Sequence, residues 1–262
     1  TPFSHPVAIH SGDFPDLVGC ALVILAAGVS QQPGETRLAL LQRNAIIFAD
    51  IVPRVMRHAT DAVVLVATNP LDVMTQITTR IAGLPPGRVV GTGTVLDTAR
   101  FRSLIGQLYG VAPGSVHAYV LGEHGDSEVL LWSSADVAGV SLTNFAIACG
   151  RPLTAEIKAR IDHDVRRAAY RIIDGKGSTY YGIGAAIASM SRSILYDERS
   201  VFTACAVVPA MGDMVDVALS LPHVIGRSGI QLTLQPSIDE GEKAALHESA
   251  RLIKRSVSAI GY

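Results

Sequence analysis

The chain has 262 residues, 48% hydrophobic and 17% charged, so it is long enough to bury a sizeable core and too apolar to be disordered. Its formal net charge of −1, from 22 basic and 23 acidic residues, argues against an electrostatic nucleic-acid binder. No apolar run approaches a membrane span, no basic segment precedes an apolar leader, and Cys20, Cys149 and Cys205 lie far apart without zinc-ligand spacing. A reduced, cytoplasmic globular protein is expected.

Residues 21–28, ALVILAAG, form a continuous apolar run of buried parallel-strand type. The polar loop VSQQPGETR follows. Leu38, Leu41, Ala45, Phe48, Val52 and Val55 then recur at spacings of three and four, which predicts a long amphipathic helix from near Glu35. Residues 62–68, AVVLVAT, read as a second buried strand that stops at Asn69-Pro70. The pattern next predicts a helix over 71–82, closed by Gly83 and Pro85-Pro86. Val89-Val90 begins a third strand, broken by Gly-Thr-Gly-Thr at 91–94, and a helix over 95–109 carries Asp97, Arg100 and Arg102. A fourth strand from Val116 leads into VHAYVLGEHGDSE, where Gly122 and Gly125 flank His124 and let the backbone bend sharply.

This alternation predicts an α/β fold with a Rossmann-like parallel sheet and right-handed crossovers. Beyond His124 the grammar changes. Ile157, Ile161, Val165, Ala168 and Ile172 predict one long helix, and Ile183, Ile187, Met190 and Ile194 another. Residues 201–208 and 215–221 read as strands at hairpin distance, and Leu246, Ala250, Ile253 and Val257 mark a closing helix. An α+β second half is expected, with a domain division near Gly93.

Each strand of the first half ends in usable chemistry: Gly28 and the 31–37 loop, then Thr68-Asn69, then Gly91-Thr92, then His124. Open α/β sheets keep their ligand sites at such ends. Asp97 and Arg100, three apart on a helix, share a face. His124 titrates near neutrality, and a carboxylate beside it would fix its tautomer and stabilise the imidazolium. Arg100 offers a planar fork for a substrate carboxylate. Arg37 is expected on a loop hinged by Pro33 and Gly34, as a closing lid would be. The residues alone therefore suggest a carboxylate substrate, an acid/base histidine and a lid delivering positive charge. A metal hydrolase built from Glu123, His124 and Asp126 is disfavoured, because adjacent residues rarely converge on one ion and no second histidine lies at ligand spacing.

The runs AAGVSQQPGETRLALLQRN, LVATNPLDVMTQ, GTGTVLDTARFR, VHAYVLGEHGDSE and IIDGKGSTYYGIG resemble, in order, those of the lactate/malate dehydrogenase family, most of all its bacterial L-lactate dehydrogenases. The resemblance implies reversible reduction of pyruvate to L-lactate with NAD as cofactor. It makes His124 the proton donor, Asp97 its orienting carboxylate, Arg100 the clamp on the substrate carboxylate and Arg37 the lid arginine that polarises the carbonyl. Asn69 and Thr179 match substrate-contacting positions, and Gly28, Thr68 and Asn69 cofactor-contacting ones. Gln31 stands where malate dehydrogenases carry arginine; a neutral amide cannot balance a second substrate carboxylate, which favours pyruvate. Arg102 and His117 match a fructose 1,6-bisphosphate effector site, and the family's usual assembly implies a homotetramer.

The family's first strand and its GxGxxG turn do not occur in these 262 residues. Gly182-Ile183-Gly184 opens a helical pattern with no strand before it. By resemblance, residues 1–93 form a partial dinucleotide-binding domain, without roughly the first 50 residues of the family pattern, and residues 94–262 the substrate domain. A malate-type 2-hydroxy acid dehydrogenase and a fragment unable to bind NAD remain the alternative expectations.

Overall fold

A computed structural model describes residues 6–29, 34–211 and 214–262. The first half supplies β1 (Leu22–Leu25), α1 (Arg37–Met56), β2 (Val63–Val66), α2 (Leu71–Ala82), β3 (Val89–Gly91) and α3 (Val95–Tyr109). Short strands follow as β4 (Val116–His117), β5 (Val120–Leu121), β6 (Val129–Leu130), β7 (Asp136–Val137) and β8 (Val140–Ser141). The rest is α4 (Leu142–Ala148), α5 (Ala155–Arg166), α6 (Ala168–Lys176), α7 (Tyr181–Tyr196), β9 (Ser200–Met211), β10 (Met214–Gly226), β11 (Gly229–Thr233) and α8 (Glu240–Ser258).

Local chemistry explains several of these bounds. The Thr36 hydroxyl accepts the Ala39 N–H at 3.2 Å and so starts α1. α2 closes at Gly83, whose φ of 61° is left-handed. Inside α2 the hydroxyls of Thr75, Thr78 and Thr79 donate to carbonyls four residues back, so a largely buried helix keeps its polar groups satisfied.

The main sheet runs in the order β1-β2-β3-β9-β10-β11. Its first three strands are parallel, with Val64 opposite Val23 and Val89, and its last three antiparallel. The two halves of the chain thus share one sheet, joined where Gly91 pairs with Cys205. A side chain at Gly93 (φ 54°) would put its Cβ 2.6 Å from the Thr203 carbonyl oxygen and the Cys205 nitrogen. Gly91 at the end of β3 and Gly93 just after it therefore serve close packing of the chain's two halves.

Alternate residues of β2 feed different layers. Val64 and Val66 pack with Phe48, Met74, Ile77, Leu246 and Ile253 from α1, α2 and α8. Val63 and Leu65 pack on the other face with Met190 and Ile194 of α7. A separate core joins Phe101 and Ile105 of α3 to Val116, Leu130, Leu142, Ile161 and Val165.

Two expectations are corrected. The fourth strand is not part of the main sheet: β4 pairs antiparallel with β7 and β5 with β6. Side chains of α3 and of its N-cap residue occupy the backbone between them. Arg102 Nε donates to the Ala118 carbonyl at 2.8 Å, Thr98 Oγ1 accepts the Val120 N–H at 2.9 Å, and the Thr94 hydroxyl donates to the Val120 carbonyl. The single long helix through Ile172 is two, α5 and α6, separated by Arg167 at φ −91°, ψ −2°. No glycine or proline marks that break, so the apolar period runs through it.

Candidate active site

β5 delivers the histidine loop to the main sheet. Gly122 and Ser220 exchange backbone hydrogen bonds at 3.0 Å, and the Glu123 N–H donates to Ser249 Oγ of α8 at 2.8 Å. Gly122 has φ 92°, and a Cβ there would lie 2.8 Å from the same Oγ. The bend before His124 therefore needs a residue without a side chain. One residue on, the His124 N–H donates to Asp72 Oδ2 at 2.8 Å. Asp72 stands in the first turn of α2 and is 2% exposed.

On the ring side, His124 Nδ1 lies 2.6 Å from Asp97 Oδ2, and the other oxygen of that carboxylate accepts Arg100 Nη1 at 2.8 Å. Asp97 is buried, whereas His124 and Arg100 remain partly open to solvent. Burial alone would raise Asp97, but His124 and Arg100 outweigh it and hold the carboxyl below its usual range. Burial alone would lower His124; the facing Asp97, helped by Asp72 and Glu128, instead lifts it to about 9. An imidazolium is thus built in at neutral pH. Asp72 itself is pushed up to about 6 by burial.

His124 and Arg100 border two cavities. One, of about 290 Å³, is lined also by Asn69, Thr92, Leu96, Thr179 and Ile183. The other, of about 470 Å³, is lined by Asp97, Asp126, Glu128, Arg166 and Tyr170. The ends of β2 and β3 reach the first through Ala67-Asn69 and Thr92-Gly93, as the sheet-end rule predicts. A wider surface depression of about 550 Å³ lies along α5 and contains neither His124 nor Arg100.

Of the sequence-predicted residues, His124, Asp97, Arg100, Asn69 and Thr179 come together. Gly28 and Thr68 meet each other instead: the Thr68 hydroxyl donates to the Ala27 carbonyl at 2.5 Å, and a Cβ on Gly28 would lie 2.9 Å from Thr68 Cγ2. Arg37 is the first residue of α1, so its backbone is helical where a loop was expected, because the Thr36 cap starts the helix just before it. Gln31 lies outside the described residues, as does the side chain of Arg37. Arg102 stacks its guanidinium 4.7 Å from the Tyr119 ring centre, and His117 is exposed on β4.

Two positioning residues escaped the sequence reading. Asp72 gave no signal beyond that of a first-turn acid complementing a helix dipole. Asn44, buried mid-helix in α1, accepts the Val29 N–H at 2.9 Å and donates to the Asn69 carbonyl at 3.1 Å. A buried amide interrupting an apolar stripe was its only mark. It ties the loop after β1 to the turn after β2.

Residues 1–91 match the family model for the lactate/malate dehydrogenase NAD binding domain, and residues 94–260 that for the lactate/malate dehydrogenase alpha/beta C-terminal domain. An L-lactate dehydrogenase of Thermus aquaticus is 58% identical over 262 residues, covering 100% of this chain and 84% of that protein. One from Geotalea daltonii is 49% identical, covering 99% and 84%. The ligand-bound crystal structure of a minor L-lactate dehydrogenase from Enterococcus mundtii superposes with a TM-score of 0.92 at 39% identity, covering 97% of this chain and 81% of that one. The chain belongs to the lactate/malate dehydrogenase family.

Proposed function

We propose that this chain is an NAD-dependent L-lactate dehydrogenase of the cytoplasm, reversibly reducing pyruvate. The observation that carries the reading is the Asp97–His124–Arg100 cluster at the junction of two cavities. The residues present fit the nicotinamide end of the cofactor: Asn69, Thr92, Thr179 and Ile183 line the smaller cavity beside the imidazole. When bound, the nicotinamide supplies the hydride.

His124 holds the proton that the carbonyl oxygen needs. With Nδ1 facing Asp97, the ring carries a proton there and turns Nε2 toward the substrate. Asp97 stabilises the imidazolium before transfer and keeps the tautomer fixed afterwards. One guanidinium nitrogen of Arg100 is held by Asp97, which orients the fork for the substrate carboxylate. Arg37 polarises the carbonyl, Gln31 selects a methyl substituent over a second carboxylate, and Asn69 and Thr179 position substrate and nicotinamide. Gly28 and Thr68 shape the cofactor floor through their mutual packing. The domains divide at Gly93. Arg102 and His117 receive a phosphate of fructose 1,6-bisphosphate at a subunit boundary of a homotetramer.

The test is NADH oxidation with pyruvate and with oxaloacetate. Fast turnover of pyruvate alone is expected, and Gln31→Arg shifts preference toward oxaloacetate. Absence of pyruvate turnover, or a wild-type preference for oxaloacetate, overturns the reading. The effector assignment predicts that added bisphosphate changes the apparent pyruvate affinity.

A further inference from the structure

We propose that Glu128 is a positioning residue for the proton donor: a second carboxyl behind the His124–Asp97 pair whose charge sets how firmly His124 keeps its proton. The inference rests on the acid role assigned to His124 above.

Glu128 is 3% exposed, and among the described residues its Oε1 has no hydrogen-bond partner. One oxygen from each of Asp97 and Glu128 and one ring nitrogen of His124 all lie within 4.8 Å of one another. The position is built rather than incidental: the Glu128 N–H donates to the Gly125 carbonyl at 3.2 Å, a turn that folds the carboxyl back toward the ring four residues earlier. Glu128 lines the larger cavity with His124, Arg100 and Arg166, while the smaller one, beside Asn69 and Thr179, does not include it. It therefore meets the ring from the side of the larger cavity, away from the space assigned to the nicotinamide.

The facing charges are Asp97 and Arg100 from α3, Arg166 from α5, and His124 and Asp126 from its own loop, with Asp72 of α2, and Glu123 beside it, behind the His124 backbone. Arg166 is held in a bidentate pair by Asp162, at 2.6 and 3.0 Å, and donates to the Asp126 carbonyl. Arg100 is held by Asp97. Among the described residues no ion pair reaches Glu128. A buried anion without a direct partner resists ionisation. Burial first, and the Asp97 anion second, push Glu128 up to about 8. An anion at Glu128, this close to the ring, holds the imidazolium further into the alkaline range. An uncharged side chain of the same shape cannot do this.

The experiment compares pH profiles of kcat/KM for pyruvate in wild type, Glu128→Gln and Glu128→Asp, alongside NMR titration of the His124 imidazole in the same proteins. For Glu128→Gln the alkaline limb and the His124 titration should both move to lower pH, by about one unit for a unit charge at this separation. That amounts to a roughly tenfold deficit in pyruvate reduction above the limb, against a much smaller one below it. Lactate oxidation, which needs the neutral ring, should gain in the same window. Glu128→Asp should restore part of the shift. A uniform loss at every pH, or a His124 titration unmoved by Glu128→Gln, overturns the proposal. The NMR arm reads the His124 proton directly, so it stands even if pyruvate turnover fails and the functional reading falls with it.

Discussion

At Asp97 a single buried carboxylate does two jobs, one oxygen on His124 Nδ1 and the other on Arg100. Removing its charge should hurt both. Asp97→Asn is predicted to lower kcat/KM for pyruvate by roughly a hundredfold or more, the scale of a positioned acid/base group. It should also pull the alkaline limb down from the region near 9, because the anion that raises His124 is gone. A limb left in place would refute the assigned cause. Arg100→Lys keeps the charge but not the fork, so KM for pyruvate should rise about tenfold or more. These three side chains were legible in the sequence because spacing on α3 and the flanking glycines of His124 each carry a local signal. Asp72 and Asn44 were not, since their partners are backbone groups 52, 15 and 25 residues away, which no local pattern encodes.

Elements bounded by their own residues were readable, and those bounded by other elements were not. α2 and α3 keep the predicted limits, closing at Gly83 and Gly110 in left-handed backbone. The strand before His124 looked continuous, yet Thr94 at the N-cap of α3, and Thr98 and Arg102 within that helix, capture its backbone and split it. α1 shows the same dependence. Its apolar stripe was plain, but its work at the site passes through Asn44, which secures two loops. Asn44→Ala leaves the Val29 N–H and the Asn69 carbonyl without that partner and should cost about 1–3 kcal/mol. Denaturant unfolding measures this directly; a loss within experimental scatter would mean water replaces the amide.

Across the whole molecule, the sheet shared between the halves ties site protonation to folding. His124, raised from 6.5 to about 9, contributes stability that is full below its unfolded value and lost as pH rises through 9. Glu128, raised from 4.5 to about 8, also favours the folded state when protonated, and that contribution declines between those values. Asp97, held low, works at the other end: its stabilisation is present above 3.8 and fades as pH falls through the depressed value. Melting temperature should therefore decline from mildly acidic pH toward 9, and less so in Glu128→Gln. A flat profile would contradict the linkage.

The acid role of His124 is the centre of the account, and replacing it tests that role most directly. His124→Asn, assayed for kcat/KM with pyruvate alongside NADH binding, should lose roughly a hundredfold to ten-thousandfold in turnover while still binding NADH. Near-normal turnover in that variant, with NADH bound, would contradict it.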